Sequence, residues 1–420
     1  MLSTSKIKDK LFYGWVVAIA GLVIGTLIFG TRFSFGVFFK SLEGEFELTR
    51  TVTSSIFSVY MLLCPLFAIL GGWALDRYGP RSVTFFMGLF SGLSLLLTSQ
   101  VNSSWQLFIT YSLLLAIGTG ATYTVVMSTI SRWFDRKRGL ALGIGSSGGG
   151  LGTVVMAPLA AYLIASFDWR IAYIVMGLIT GLVVILLSML LRKDPSEMGL
   201  SPDGVRATSD KIVMSDKKDE ARLVSFSLIQ AFRTRSFWAL SGVWLSFSFC
   251  LHLLITHFVP HATDLGVSAA EAAIILGLTG SISIPGRLMM GWVSDKIGRK
   301  VSAIACALLQ SGAMVWLAWA QDLWMLYLFA VVYGFAYGGF DSPVTALVGD
   351  IFGLRSLGII IGVLGTGWGI GAAIGPVLGG LVFDVTQTYF LAFLIGALAM
   401  LIAVLCLAFV RWETNRQRID

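Results

Sequence analysis

Arg287 stands in an otherwise uncharged run, residues 272–293 (AAIILGLTGSISIPGRLMMGWV), that is long enough to cross a bilayer. A guanidinium keeps its charge in lipid, so this residue belongs in a protein-lined cavity facing an anion. Its planar fork of donors suits a carboxylate held by two parallel hydrogen bonds. The other role open to it is a structural pair with Asp341, an acid in another apolar run. Arg32 is the third charge of this kind. Tyr333, Tyr337 and Asp341 are four apart and form one helical stripe, and Tyr123 stands 218 positions before Asp341. A tyrosine hydroxyl can donate to a carboxylate or an α-hydroxyl while its ring forms an apolar wall; aromatic packing is the alternative. Asp341, His257 and His252 are the candidate proton carriers, with packing as the alternative for either histidine. His252, His257 and His261 have no acidic or cysteine companion at ligand spacing, so no metal site is expected.

The elements that must position these residues are membrane helices. The 420-residue chain is 56% hydrophobic and 13% charged, about half the charge of a soluble domain, with a mean hydropathy of +0.83. Twelve apolar spans can be drawn, at residues 12–38, 52–75, 81–101, 105–131, 139–165, 169–191, 236–262, 270–293, 300–320, 323–349, 356–383 and 388–411. Residues 192–235, rich in Lys, Asp, Ser and Pro, read as a cytoplasmic linker. They separate an N-terminal six-helix bundle (1–191) from a C-terminal one (236–420). The net charge of +7 does not point to nucleic acid, because the basic residues fall in turns. The odd-numbered gaps hold only Lys40, Arg50 and Arg170, while the even-numbered gaps and the termini hold nearly all the rest, among them Arg132, Arg136, Lys137, Arg138, Arg416 and Arg418. Both termini are therefore expected in the cytoplasm, and the first span reads as a retained helix of a multi-pass plasma-membrane protein. Cys64, Cys250, Cys306 and Cys406 all lie in apolar segments and suggest neither disulfides nor metal ligation.

The two halves resemble each other. GWALDRYGPR (72–81) follows span 2 and GWVSDKIGRK (291–300) follows span 8, so Asp76 and Asp295 are 219 positions apart. Phe134 and Phe352, and likewise Pro158 and Pro376, are 218 apart. Such a recurrence argues for duplicated bundles of the kind that supports alternating access. In each turn an aspartate ends a helix beside basic residues, Arg77 and Arg81 or Lys296 and Arg299. Pairs between them could close the mouth in one state and break in the other. The alternative is that the basic residues only mark topology. Gly143, Gly145, Gly148, Gly149, Gly150 and Gly152 of span 5 face Gly362, Gly365, Gly367, Gly369, Gly371 and Gly375 of span 11 as counterparts. Small residues permit close helix contact. Gly145-Ser-Ser-Gly148-Gly149-Gly150 is not a phosphate loop, since no Gly-Lys-Ser/Thr closes it.

The doubled G-x-x-x-D-[RK]-x-G-x-[RK] turn resembles the signature of the major facilitator superfamily, from about Phe12 to Arg411. Phe12-Tyr13-Gly14-Trp15-Val16-Val17, Asp350-Ile351-Phe352-Gly353 and Arg287 are similar to the monocarboxylate transporters and their oxalate/formate-exchanging relatives. That resemblance implies an all-α membrane fold of twelve helices in two pseudo-symmetric six-helix bundles. In it helices 1, 4, 7 and 10 line a central cavity where Arg32, Arg287 and Asp341 could converge. It also implies that Arg287 binds a substrate carboxylate and that Tyr123 and Tyr337 match ligand-contacting tyrosines. Three departures accompany it: Ser283 replaces an acid one turn before the arginine, the position of a helix-1 lysine falls near Phe33 with Arg32 adjacent, and span 11 carries no charge before its outer end. The expected function is proton-coupled transport of a small organic monocarboxylate such as lactate or pyruvate by a monomer. A formate/oxalate or other carboxylate exchanger is the alternative, and a non-transporting receptor a more distant one. No nucleophile–base pair, cofactor motif or nucleotide-binding domain supports an enzyme or an ATP-driven pump.

Overall fold

The computed structural model describes residues 12–134, 138–204, 228–352 and 357–410. Eleven helices there are long and apolar enough to cross a membrane. One of them, Arg50–Thr98, has 49 residues and would extend about 74 Å as a straight rod, more than twice the thickness of a bilayer's hydrocarbon core. It is broken at Gly79, whose φ of 79° and ψ of 168° are non-helical. Counting its two arms separately gives twelve: α1 (Tyr13–Glu45), α2 (50–78), α3 (80–98), α4 (Ser104–Trp133), α5 (Ala141–Ser166), α6 (Trp169–Ser188), α7 (Arg235–Asp264), α8 (Ala269–Ile297), α9 (Arg299–Trp319), α10 (Leu323–Phe352), α11 (Ile360–Thr386) and α12 (Phe390–Phe409). An even number of crossings puts Phe12 and Val410 on one face, here called the terminal face; the opposite one is the distal face.

The repeat seen in the sequence is a repeat of backbone and packing. Gly79 and Gly298, the last glycines of the two motif turns, both have positive φ, 79° and 97°. Only glycine reaches this conformation without strain, so each turn can reverse the chain at the motif. The two halves share one packing scheme. α1 packs on α5 as α7 does on α11, α2 on α4 as α8 on α10, and α3 on α6 as α9 on α12. Between the halves, α2 lies along α11 and α5 along α8.

Glycines set these distances, but not by meeting their counterparts. A Cβ on Gly152 would lie 2.6 Å from the Gly30 nitrogen of α1, and one on Gly150 would lie 2.8 Å from the Gly280 oxygen of α8. On α11, a Cβ at Gly375 would meet Leu253 of α7 at 3.2 Å and one at Gly369 would meet Pro65 of α2 at 2.7 Å. The glycine faces of α5 and α11 therefore serve separate seams, because pseudo-symmetry sends each helix across to the other half. Gly143, Gly149, Gly362 and Gly365 approach nothing within 4 Å. At the start of the linker, Arg192 O accepts from Trp133 Nε1 at 3.1 Å and Lys193 Nζ donates to Asp76 O at 3.0 Å. The rest of it from 205 to 227, with Arg136, Lys137, Gly353, Arg416 and Arg418, lies outside the described residues.

Candidate functional site

Arg287 and Asp341 come together because α8 and α10 can approach closely. A Cβ on Gly334 would stand 2.6 Å from the Thr279 oxygen, and one on Gly286 would stand 3.0 Å from the Phe335 carbonyl carbon and closer still to its oxygen. With the backbones this near, Arg287 Nη2 lies 3.7 Å from Asp341 Oδ2. That is an ion pair but longer than a hydrogen bond. Nη1 donates to the Ser146 carbonyl of α5, in the other half, at 3.4 Å. Arg287 Nε is buried with no hydrogen-bond partner among the described residues. Tyr337 and Tyr123 face the pair from α10 and α4, and the Tyr337 ring stacks on Phe247 at 5.9 Å. Tyr333 is elsewhere: it is buried against Phe329 (5.2 Å) and its hydroxyl is 3.7 Å from Cys250 Sγ. A four-residue step overshoots a turn by about 40°, so the stripe drifts out of the site one turn away.

Arg32 occupies a separate nest within the N-terminal half. Its Nε donates to the Tyr60 hydroxyl at 3.0 Å, and one terminal nitrogen reaches Cys64 Sγ at 3.7 Å. The guanidinium carbon lies 5.3 Å from the Phe29 ring centre and 5.5 Å from that of Tyr60. Tyr60 in turn contacts Thr119 Oγ1 at 2.7 Å. Tyr60 and Thr119 gave no signal in the sequence, since hydroxyls are common in membrane helices and neither residue is charged.

His257 proves to be part of a closure at the distal face. Its Nε2 donates to the Pro376 carbonyl at 2.7 Å, which leaves Nδ1 to accept from the Tyr389 hydroxyl at 3.1 Å. Tyr389 also accepts from Arg50 Nη1 at 2.8 Å. Arg50, nearly fully buried, sits over the Phe383 ring at 3.6 Å and grips Asp264 with both terminal nitrogens, at 2.7 and 3.1 Å. Lys40 Nζ reaches the same carboxylate at 2.6 Å, and Glu43 Oε1 accepts from Arg50 Nε at 3.3 Å. Asp384 of α11 accepts from the backbone nitrogens of Arg50 and Thr51 at 3.0 and 2.9 Å and from Thr51 Oγ1 at 2.6 Å. An acid of one half thus caps the first turn of a helix of the other. The sequence did carry a signal for this cluster, because Lys40 and Arg50 break the charge pattern of the other loops. His252 lies deeper: its Nδ1 is 2.9 Å from the Ser248 carbonyl, its ring is 5.6 Å from that of Trp368, and its Nε2 is buried without a partner among the described residues.

Comparison with known proteins places this architecture. The profile described as "Major Facilitator Superfamily" matches residues 21–300 and 258–419. The chain belongs to the major facilitator superfamily. Within it, the chain is 25% identical to monocarboxylate transporter 12 of Rattus norvegicus over 97% of this chain and 87% of that one. It is 27% identical to the oxalate:formate antiporter of Oxalobacter formigenes, over 94% and 91%. A solved bacterial homologue of the human lysosomal transporter Spinster, in an inward-facing and unoccupied conformation, superposes with a TM-score of 0.72 at 19% identity over 96% of both chains.

The superfamily's motif turns, at the terminal face, are wired differently from the expected pairing across the mouth. Asp76 takes Arg132 of α4 at 3.3 Å, not Arg77 or Arg81, and its side chain is 76% exposed. Arg77 rests between Trp73 and Tyr78, 5.6 Å from each ring, and Arg81 is exposed. Asp295 pairs with Arg299 at 2.5 Å, and Arg299 reaches Asp350 at 3.6 Å, while Lys296 lies over Trp292 at 3.7 Å. Each of these contacts stays within one half. Among the described residues, those that tie the halves together by charge are at the other end, where α2 meets α7 and α11.

Proposed function

We propose that this chain is a secondary transporter of small organic monocarboxylates, lactate- or pyruvate-like, coupled to protons and working by alternating access between bundles 1–191 and 236–420 joined by a cytoplasmic linker. The observation that carries the reading is Arg287, mid-helix in α8, paired only loosely with Asp341 at 3.7 Å and with Nε unpartnered among the described residues. A guanidinium bound tightly by its acid would be structural, whereas one with spare donors and a tyrosine to either side is prepared for a ligand carboxylate. Tyr123 and Tyr337 supply the walls and further hydrogen bonds, and the match to carboxylate transporters along nearly the whole chain supports the substrate class. Asp341 is the proton carrier of choice, because it alone of the three candidates touches the arginine; His257 is engaged in the distal closure and His252 in α7 and Trp368.

With both termini cytoplasmic by the distribution of basic residues, the distal closure is the outer gate. The protein then rests open toward the cytoplasm, and the motif turns (Asp76, Arg77, Arg81, Asp295, Lys296 and Arg299) are an inner gate in its separated state. Uptake of labelled lactate, pyruvate, formate and oxalate into proteoliposomes, with and without an imposed pH gradient, tests the function. Saturable lactate or pyruvate uptake driven by an inward proton gradient is expected, and lost in Arg287→Ala. Uptake only in exchange for internal oxalate or formate would select the antiporter reading, which the Oxalobacter relative favours.

A further inference from the structure

Between the halves, on the distal side of Arg287, lies a cavity of about 20 Å³ that α1, α5, α7, α8 and α10 all border. Its position follows from the chain directions. α5 runs from the terminal to the distal face, and α8 and α10 run the opposite way. Gly150 of the cavity wall therefore stands one turn distal of Ser146, whose carbonyl accepts from Arg287, and Gly280 of the wall stands about two turns distal of Arg287 itself. Tyr337 belongs to both places, since it faces the Arg287–Asp341 pair and lines the cavity. Gly149, also in the wall, has nothing within 4 Å of where a Cβ would stand.

The walls are apolar. Phe33, Leu251, Leu254, Ile255 and Leu276 are all buried there. The two threonines donate within their own helices, Thr153 Oγ1 to the Gly149 carbonyl at 3.2 Å and Thr279 Oγ1 to the Leu276 carbonyl at 2.6 Å. Among the described residues no charged side chain lines the cavity, so a second carboxylate placed there would be buried without a counter-charge. The room is also small. A single water needs roughly 10–15 Å³, so this volume takes one methyl-sized group and little more.

We infer that this cavity is the tail pocket of the carboxylate site, and that Leu254 and Leu276 at its distal end set the length of acid accepted. This rests on the proposed carboxylate transport. The carboxylate lies at Arg287, the second carbon passes the Tyr337 ring, and one carbon beyond it fills the cavity. The preferred substrates are then unbranched monocarboxylates of three carbons. Longer chains are refused by size, and a second carboxylate at the tail is refused by charge.

The test is a homologous series, read by calorimetric titration of the full-length protein in nanodiscs with acetate, propionate, butyrate and pentanoate. In the wild type, propionate should bind about fourfold tighter than acetate, the gain from burying one more methylene. Pentanoate should bind at least about tenfold more weakly than propionate, the effect of overfilling a packed space. Leu254→Ala lengthens the pocket and should raise the pentanoate-to-propionate affinity ratio at least about tenfold. Leu254→Phe shortens it and should abolish the advantage of propionate over acetate. Arg287→Ala should weaken every acid of the series. A wild-type series with no fall from propionate to pentanoate, or L254A and L254F profiles that both keep the wild-type optimum, would overturn the inference while leaving carboxylate binding at Arg287 intact. If L254A does not fold, Leu276→Ala takes its place with the same expected ratio, and an unshifted ratio overturns the inference in the same way. A wild-type protein that binds neither these acids nor L-lactate removes the underlying reading as well.

Discussion

What an embedded arginine does depends on which of its five N–H donors are already occupied. At Arg287 the answer is few of them, so geometry as well as charge should matter there. Lysine at this position would keep the charge but lose the planar fork. Arg287→Lys is therefore expected to raise the KM for uptake roughly tenfold or more, the loss of one charge-assisted hydrogen bond of about 1.5–3 kcal/mol; an unchanged KM would show that only a point charge is read. His257 gives a contrasting prediction. Its neutral ring satisfies Pro376 O and the Tyr389 hydroxyl together, and Tyr389 is already committed to Arg50 on its other side. In His257→Gln the pH profile of uptake should keep its midpoint while the maximal rate falls; a displaced midpoint would make His257 a proton carrier after all. At this scale the sequence exposed the charges and the tyrosines in helical register with them, and missed the hydroxyls that serve Arg32 and Arg50. Arg287, Asp341 and Arg32 are conspicuous because lipid penalises them. Tyr60, Thr119 and Tyr389 act only through partners on other helices, which no local pattern announces.

Helices in a bilayer gain no hydrophobic drive from meeting each other, so contact depends on how close the backbones come. The duplicated motif made the element count and the pairing of halves legible, since Asp76 and Asp295 stand at equivalent turns and Gly79 and Gly298 share a positive φ. The partners of the glycine faces were not legible, because a small residue signals proximity without saying to what. The seam between α5 and α8 supplies an internally controlled test. Neighbouring glycines differ completely there: a Cβ on Gly150 would sit 2.8 Å from the Gly280 carbonyl, and one on Gly149 meets nothing within 4 Å. Gly150→Ala should lower stability by about 1–3 kcal/mol, the usual cost of overpacking, and reduce the transport rate, since this seam joins the halves. Gly149→Ala should leave the melting temperature of the purified protein nearly unchanged. Equal effects of the two would mean that helix propensity, not packing between the halves, governs these positions.

A transporter must be able to close each face, and in this molecule the distal closure concentrates its charge where the halves meet. Asp264 and Asp384 of the C-terminal half hold Arg50, Lys40 and the first turn of α2 in the N-terminal half. On the proposed alternating access these contacts between the halves break when the distal face opens, so by linkage their free energy belongs to the balance between states and not to either bundle alone. Asp264 is partly exposed and Lys40 more so, which discounts that pair. The buried Arg50 and the Asp384 cap should carry most of the effect. Removing one of these charge-assisted contacts withdraws about 1.5–3 kcal/mol from the closed state, a shift of roughly 10- to 150-fold in the population ratio. Asp384→Asn keeps one oxygen for the helix cap but cannot accept on both sides, and Asp264→Asn removes the charge opposite Arg50. Each should enlarge the population with an open distal face. Spin labels on Glu47 and Ser268, exposed residues of opposite halves at that face, would report this in a background with the four cysteines replaced. A longer-distance population should grow in D264N and D384N and grow further in the double variant. In Asp76→Asn, whose partner Arg132 belongs to its own half, the same label pair should show no such growth. If the distal distances remain at wild-type values in both gate variants, the closure is set by the glycine seams, and the ion cluster only seals it against water.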